Sequence, residues 1–508
     1  MNKNQNPGAH TIIGHPDALF VLFFTEMWER FSYYGMRALL VLFLVTEALK
    51  GGWGWSRADA ASLYGWYTGL VYLTPILGGY IADKVLGCRR SIVLGGFIIA
   101  AGHACLLFDT PTMFYTGLGL VVAGTGLFKP NISAIVGQLY TKDNDAGRDG
   151  GYTLFYMGVN SGAFFGILLC GYIGEKISWP LGFGLAGAFM LLGAIQFYFA
   201  QGILGQIGLA KSQQTVAVVN VEAEPHIVAD RLKAICVFSF FTIFFWFAFE
   251  QSGGSMTIFA ADYTDRALIG TSGFTFKVIN SLITVIPTLI LSWLLVKLFG
   301  GTAKKYLVSN LLLVTCMTLI WSLVIWMLMR EFSLEQSSVP ATWFGVLNSF
   351  FIVILAPMFS KLWEKHWNPS GPIKFGVGLI FVGLGFAALS YGAASIPAGA
   401  KTASVSMVFL ILAYLFHTMG ELCISPVGLS YISQLAPPRL MGLMFGFWYL
   451  NTAIANKLAG VTGSYIDHIS NTYSLSTFFL IFTIIPVVAG LVMMSLNKWM
   501  HAKMHGVH

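Results

Sequence analysis

Four ionisable residues stand in the first long apolar run of this chain: Glu26, Glu29, Arg30 and Arg37. On a helix turning about 100° per residue, Glu26, Arg30, Tyr33 and Arg37 fall nearly in line, with Glu29 and Tyr34 flanking them. An acid and a base one turn apart can pair, and carboxylates in low-dielectric surroundings exchange protons as their partners change. Other apolar runs carry Lys129 just before Pro130, Glu250, and Glu421 five residues before Pro426. Asn160, Asn348, Tyr72, Trp246 and Trp448 add hydrogen-bonding or amphipathic groups. A cavity with Arg and Lys on one side and Glu421 on the other suits a dipolar ligand, with a carboxylate at one end and an ammonium at the other. The chemistry in view is charge transfer and binding, not bond-breaking.

The composition says where these residues must reside. The chain has 508 residues, of which 56% are hydrophobic and only 10% charged, against about 45–50% and about 25% in soluble domains. Soluble enzyme, nucleic-acid binder and disordered scaffold are excluded. Most of the 29 Lys and Arg lie in or beside loops on the side of the N-terminus, so the net charge of +7 reads as the positive-inside rule with both termini cytoplasmic. The polar start, Met1 to Asp17, leads into the first run without a small-residue cleavage site, so no removable signal peptide is expected. Cys88, Cys105, Cys170, Cys236, Cys316 and Cys423 show no CxxC spacing and read as packing residues. His103 and His417 read as packed or hydrogen-bonded. His417 and Glu421 are one turn apart but lack a third ligand, so no metal site is expected. Asn131-Ile132-Ser133 matches a glycosylation acceptor inside a span and reads as inert; Lys457 has no evident partner.

Runs of roughly 20 apolar residues are the length needed to cross a bilayer. They fall at 18–46, 58–83, 91–108, 111–139, 150–173, 180–201, 230–262, 275–299, 304–330, 340–363, 372–391, 403–434, 438–466 and 475–499. The expectation is an all-α polytopic membrane protein of fourteen spans, with a polar linker over 202–229. Short strings recur in order: Phe23-Phe24 before Glu29 and Phe244-Phe245 before Glu250; Thr74-Pro75 and Ala356-Pro357; Gly158-Val159-Asn160 and Tyr449-Leu450-Asn451. The order holds only if the pair at 275–299 and 304–330 is an insertion. That leaves two six-helix bundles in the parallel-repeat pattern of the major facilitator fold. The divisions are then 1–201 for the first bundle, 202–229 for the linker, and 230–266 for the first helix of the second bundle. The inserted pair takes 267–335 and the remaining five helices 336–508. The loop string Gly78-Gly79-Tyr80-Ile81-Ala82-Asp83-Lys84, then Gly87, Arg89 and Arg90, resembles that superfamily's cytoplasmic signature, with one residue more than its commonest spacing.

Glu26-Met27-Trp28-Glu29-Arg30-Phe31-Ser32-Tyr33-Tyr34 resembles the ExxERFxYY motif of the proton-dependent oligopeptide transporter family. Phe128-Lys129-Pro130-Asn131, Phe245-Trp246 through Glu250-Gln251, Glu421 through Gly428, and Met444 through Trp448 fit the same family. The resemblance implies a symporter in a bacterial inner membrane. It would import di- and tripeptides with protons by alternating access, using the proton gradient and no cofactor or obligate protein partner. It implies proton coupling by Glu26, Glu29, Arg30, Lys129 and Glu250, and an outer gate of Arg37 and Glu250. The peptide carboxylate would meet Arg37 and Lys129, its N-terminus Glu421, and its backbone Asn160 and Asn348. Tyr33, Tyr34, Tyr72, Trp246 and Trp448 would shape the side-chain pockets. Two departures stand out. Gly65 occupies the place of a histidine found in animal members, and the extra pair follows span seven where bacterial members carry it between the bundles. The nearest rival is a carrier of nitrate or a peptide-like metabolite on the same scaffold, and nitrate would have little use for Glu421. A membrane enzyme built on His417 and Glu421 lacks further ligands or a nucleophile–base pair. A transporter-like receptor is the third alternative.

Overall fold

The computed structural model describes residues 11–140, 145–209, 224–437 and 440–507. Backbone polar groups in hydrocarbon must be satisfied internally, so apolar runs of this length become helices. They do so at α1 (Asp17–Val45), α2 (Arg57–Ile81), α3 (Cys88–Cys105), α4 (Pro111–Gln138), α5 (Asp145–Lys176) and α6 (Trp179–Ala200). α7 (Pro225–Phe249) and the one-turn α8 (Ser255–Ile258) follow, then α9 (Gly270–Thr302) and α10 (Leu307–Ser333). The chain continues through α11 (Val346–Lys365), α12 (Gly371–Gly392), α13 (Val408–Leu435) and α14 (Met441–Gly463). It ends in α15 (Ile466–Thr472), α16 (Leu475–Ser495) and α17 (Asn497–Met504). Pro opens α4, α6, α7 and α12, where its missing N–H costs nothing.

Among the described residues, ten helices are long and apolar enough to cross a membrane. The helices at the other four expected spans, α1, α2, α3 and α14, are more polar and are not among the ten, so fourteen crossings remain an expectation. Among the described residues, three two-residue strand pairings interrupt the all-helical expectation: Thr11–Ile12 with His15–Pro16, Thr264–Asp265 with Val405–Ser406, and Ala267–Leu268 with Ser337–Ser338. They form where loops run side by side and their backbone groups find each other. The second bundle's first helix begins at Pro225, five residues before its apolar run; of the expected linker, 210–223 lie outside the described residues.

The chain forms two compact units. The first comprises the described residues within Met1–Leu39, Thr74–Thr215 and Arg266–Trp343. The second comprises those within Leu40–Leu73, Val216–Asp265 and Phe344–His508. In the first, α3 packs against α4 and α6; in the second, α12 packs against α13 and α16, so the same neighbour relations recur. Small residues permit these approaches. A Cβ on Gly95 would lie 2.7 Å from Gly124 O, and one on Gly376 would lie 2.7 Å from Gly490 O. The inserted pair, α9 and α10, belongs to the first unit. Gln196 Nε2 of α6 donates to Ser309 Oγ at 3.1 Å, and Tyr172 OH of α5 donates to Glu331 Oε1 at 2.7 Å. Its outward side chains are apolar and exposed, among them Phe274, Leu282, Ile286 and Trp293.

Candidate functional site

In the first unit, α1 presents the charged stripe where α5 has no side chains to interfere. Gly158, Gly162 and Gly166 recur at one-turn intervals, and a Cβ on Gly162 would lie 2.2 Å from Met27 O and 2.8 Å from Arg30 Cβ. On its other side α1 is held by Trp28, fully buried and stacked 5.3 Å from Phe189. Between these anchors Arg30 Nε meets Glu26 Oε1 at 2.9 Å and Glu29 Oε2 at 2.5 Å. Glu29 is wholly buried, and Glu26 and Arg30 are each 3% exposed. Lys129 of α4 is close enough for its charge to act on both carboxylates. Pro130 cannot donate to the carbonyl four residues back, that of Gly126, and α2 lays Gly78 against that oxygen. The Arg30 guanidinium lies 5.6 Å from the Tyr33 ring centre and that of Arg37 5.8 Å from the Tyr34 ring centre. Asn160 is buried, and its amide donates to Tyr156 O at 3.0 Å. Two buried acids and a buried arginine thus share one network with half-buried Lys129, in which protonating either acid breaks an ion pair of Arg30.

The second unit holds the other group. Asn348 Nδ2 of α11 donates to Glu421 Oε2 of α13 at 2.9 Å and to Thr418 Oγ1 at 3.1 Å. The partner that orients Glu421 comes from 73 positions away in sequence. Trp448 is buried over Gly428, and half-buried Trp246 lies among Phe245 and Phe249, its indole N–H without a hydrogen-bond partner among the described residues. Tyr72 is half-buried on α2. Glu250 does not sit mid-helix, as its apolar run implied. Gly253 and Gly254 follow it, the α-helix gives way at Phe249, and Glu250 opens a tighter turn. There it is buried and accepts from Tyr64 OH at 3.3 Å. Arg37 belongs to the first unit and Glu250 to the second.

Sequence reasoning missed a third cluster, also in the second unit. Arg57, the first residue of α2, donates to Asp262 Oδ2 at 2.6 Å, to Asp467 Oδ1 at 2.9 Å and to Tyr263 OH at 2.9 Å. Its partners lie 205 to 410 positions away, Asp262 and Tyr263 in the helical turn Phe259–Tyr263 and Asp467 in the first turn of α15, and none of them belongs to a motif. Below it, a Cβ on Gly65 would lie 2.6 Å from Gly460 Cα, so the place held by histidine in animal relatives has no room here for a side chain.

His103 Nε2 shares a hydrogen bond with Ser32 Oγ at 3.0 Å, while His417 is packed against Phe386, ring centres 4.7 Å apart. No cluster of metal-ligating side chains occurs among the described residues. Arg89 of the loop signature donates to Ile207 O and Gly205 O, each at 2.6 Å, tying the loop to the chain that follows α6.

A multi-pass helical bundle with buried, motif-bearing charges defines the class of a polytopic membrane protein, and the proteins it resembles are transporters, not enzymes. A sequence profile of the POT family matches residues 89–224 and 312–484. The chain is 34% identical to the uncharacterized transporter YclF of Bacillus subtilis, over 97% of this chain and 96% of that one. It is 31% identical to the peptide transporter YePEPT of Yersinia enterocolitica, over 91% and 90%. It is also 31% identical to a di-/tripeptide transporter of Lactococcus lactis, over 98% of each. Among solved structures, a mutant of the peptide transporter POT in complex with alafosfalin is 28% identical with a TM-score of 0.76, covering 100% of both chains. The fold also matches a POT family transporter in complex with 5-aminolevulinic acid, at a TM-score of 0.77 and 24% identity, over 98% of this chain and 100% of that one. The chain belongs to the POT family.

Proposed function

We propose that this protein imports di- and tripeptides with protons by alternating access across a bacterial inner membrane, with both termini cytoplasmic. The observation that carries this reading is Arg30 bonded to two buried carboxylates, Glu26 and Glu29, with Lys129 acting on both. A proton entering this network removes one of Arg30's bonds and so couples protonation to rearrangement. Glu26, Glu29, Arg30 and Lys129 are assigned to proton coupling, together with Glu250. Arg37 and Glu250 are assigned to an outer gate, reinforced by Arg57 with Asp262 and Asp467.

Arg37 and Lys129 would receive the peptide carboxylate and Glu421 its ammonium, with Asn348 holding Glu421 in place. Asn160 would bond the peptide backbone. Tyr33, Tyr34, Tyr72, Trp246 and Trp448 would shape the side-chain pockets. Every short peptide carries both charged ends, so the site would select by length more than by side chain. A half-buried, oriented Glu421 favours a zwitterion over nitrate, and the relatives named as a peptide transporter and a di-/tripeptide transporter point the same way.

The test is uptake of labelled dialanine into proteoliposomes, with and without an inward proton gradient. Accumulation that needs the gradient, competed by tripeptides but not by free alanine, is the expected result. A folded protein that binds dialanine without accumulating it would be a receptor. One that does not bind dialanine would serve another ligand.

A further inference from the structure

One cation of the second unit takes no part in this scheme. Lys457 lies on α14 six residues before its end at Gly463, about 9 Å along the helix. Its Nζ rests 3.9 Å from the centre of the Trp66 ring on α2. Among the described residues no carboxylate pairs with it, and none of its three N–H donors meets a protein acceptor. The helices touch here backbone to backbone. A Cβ on Gly69 would lie 3.2 Å from Ala453 O and 3.8 Å from Lys457 Cβ, one turn along from the Gly65–Gly460 contact. Glycines thus bring the lysine and the tryptophan to one seam. Trp66 is 56% exposed, and the exposed neighbours along the seam are Leu70, Leu73, Ile454, Leu458 and Val461. An exposed surface so uniformly apolar on membrane helices faces lipid.

A cation facing hydrocarbon is costly, and the bilayer answers by thinning locally and drawing headgroups and water toward it. The indole satisfies one side of the ammonium, leaving its N–H donors for an anionic oxygen. Lipids of net negative charge supply the missing counter-charge.

We propose that Lys457 and Trp66 form a binding point for the phosphate of an anionic phospholipid at the seam between α2 and α14. The occupant is a lipid and not a soluble anion, because the surface around the ammonium is apolar. Binding stands on this geometry alone. Its consequence, that the lipid holds the seam shut near the Arg57 cluster, rests on the transport reading.

The test compares wild type, Lys457→Met, Lys457→Arg and Trp66→Leu in detergent. Each is offered phosphatidylglycerol or phosphatidylcholine, and bound lipid is counted by native mass spectrometry. Wild type should prefer phosphatidylglycerol. Lys457→Met should lower that preference about fivefold, as expected of one lysine beside an anionic headgroup. Lys457→Arg should keep it, and Trp66→Leu should lower it less. Lipid held at other basic residues is common to all four proteins and cancels. An unchanged ratio in Lys457→Met overturns the proposal; if that variant fails to fold, an unchanged ratio in Trp66→Leu does so. Displacement of the lipid by inorganic phosphate would point to a soluble anion and overturn the lipid assignment. Dialanine binding on the same samples separates the two readings, since its absence in wild type refutes the transport reading and leaves the lipid result standing.

Discussion

The Glu26–Glu29–Arg30 network and the Arg57 cluster are both arginines gripped by two carboxylates, yet they are opposite in kind. The first is assembled within five positions of one helix and is almost wholly buried. The second gathers residues 205 and 410 positions apart, with Asp262 and Asp467 side chains 34% and 45% exposed. Burial raises the stakes of every bond, because a charge left alone in low dielectric has no water to turn to. Exposure makes the second cluster easy to break and remake. The proposed coupling element and the proposed gate call for these two strengths respectively.

The comparison can be broken at several points. Arg30→Met leaves two buried acids beside Lys129 alone, and stability should fall by about 3–5 kcal/mol in detergent unfolding. Glu29→Gln is the milder probe: gradient-driven dialanine accumulation should vanish while dialanine exchange persists. If accumulation survives, the coupling role belongs elsewhere. Gly65→Ala forces a methyl group against Gly460 Cα, 2.6 Å away, and should cost about 1–3 kcal/mol through overpacking. A neutral result in thermal unfolding would mean that the α2–α14 contact is looser than described. Asn348→Ala removes the bond that orients Glu421 and should raise the half-saturation concentration for dialanine about tenfold, the lower end for a hydrogen bond to a charge. An unchanged value would sever Glu421 from binding.

Arg57→Met should have the smallest effect. Half-exposed pairs contribute about 0.2–1 kcal/mol each, and added salt should shrink the difference between Arg57→Met and wild type. Salt should leave the effect of Arg30→Met nearly untouched, because buried pairs are screened much less. Equal salt sensitivity in the two variants would erase the distinction drawn here.

The network on α1 was legible because helical geometry alone brings residues three, four and seven apart onto one face. Lys129 could be named as its partner only through the family resemblance, and the structure supplies the electrostatic proximity. Glu421 was legible as a charge inside an apolar run, but Asn348 as the group that holds it was not. Glu250 was placed on a continuous helix because its apolar run is continuous; the glycine pair at 253–254 was the signal passed over. Arg57, Asp262 and Asp467 stand at helix ends, at or just beyond the edges of the apolar runs, where polarity is the rule and signals nothing. The partner of Lys457 was equally hidden, since an exposed tryptophan at a membrane surface is ordinary.

Hydropathy and local spacing are properties of neighbouring residues, so the chain by itself determined that this is a polytopic helical membrane protein. They also gave one unusually charged first helix, and the expectation of two sixfold repeats with an inserted pair. Which unit the inserted pair joins, which backbone groups the loops pair, and which distant side chains close on Arg57, Glu421 and Lys457 were decided only by the tertiary structure. Such contacts depend on how helices with glycine seams pack together, and that packing joins residues from 73 to 410 positions apart that no local pattern connects.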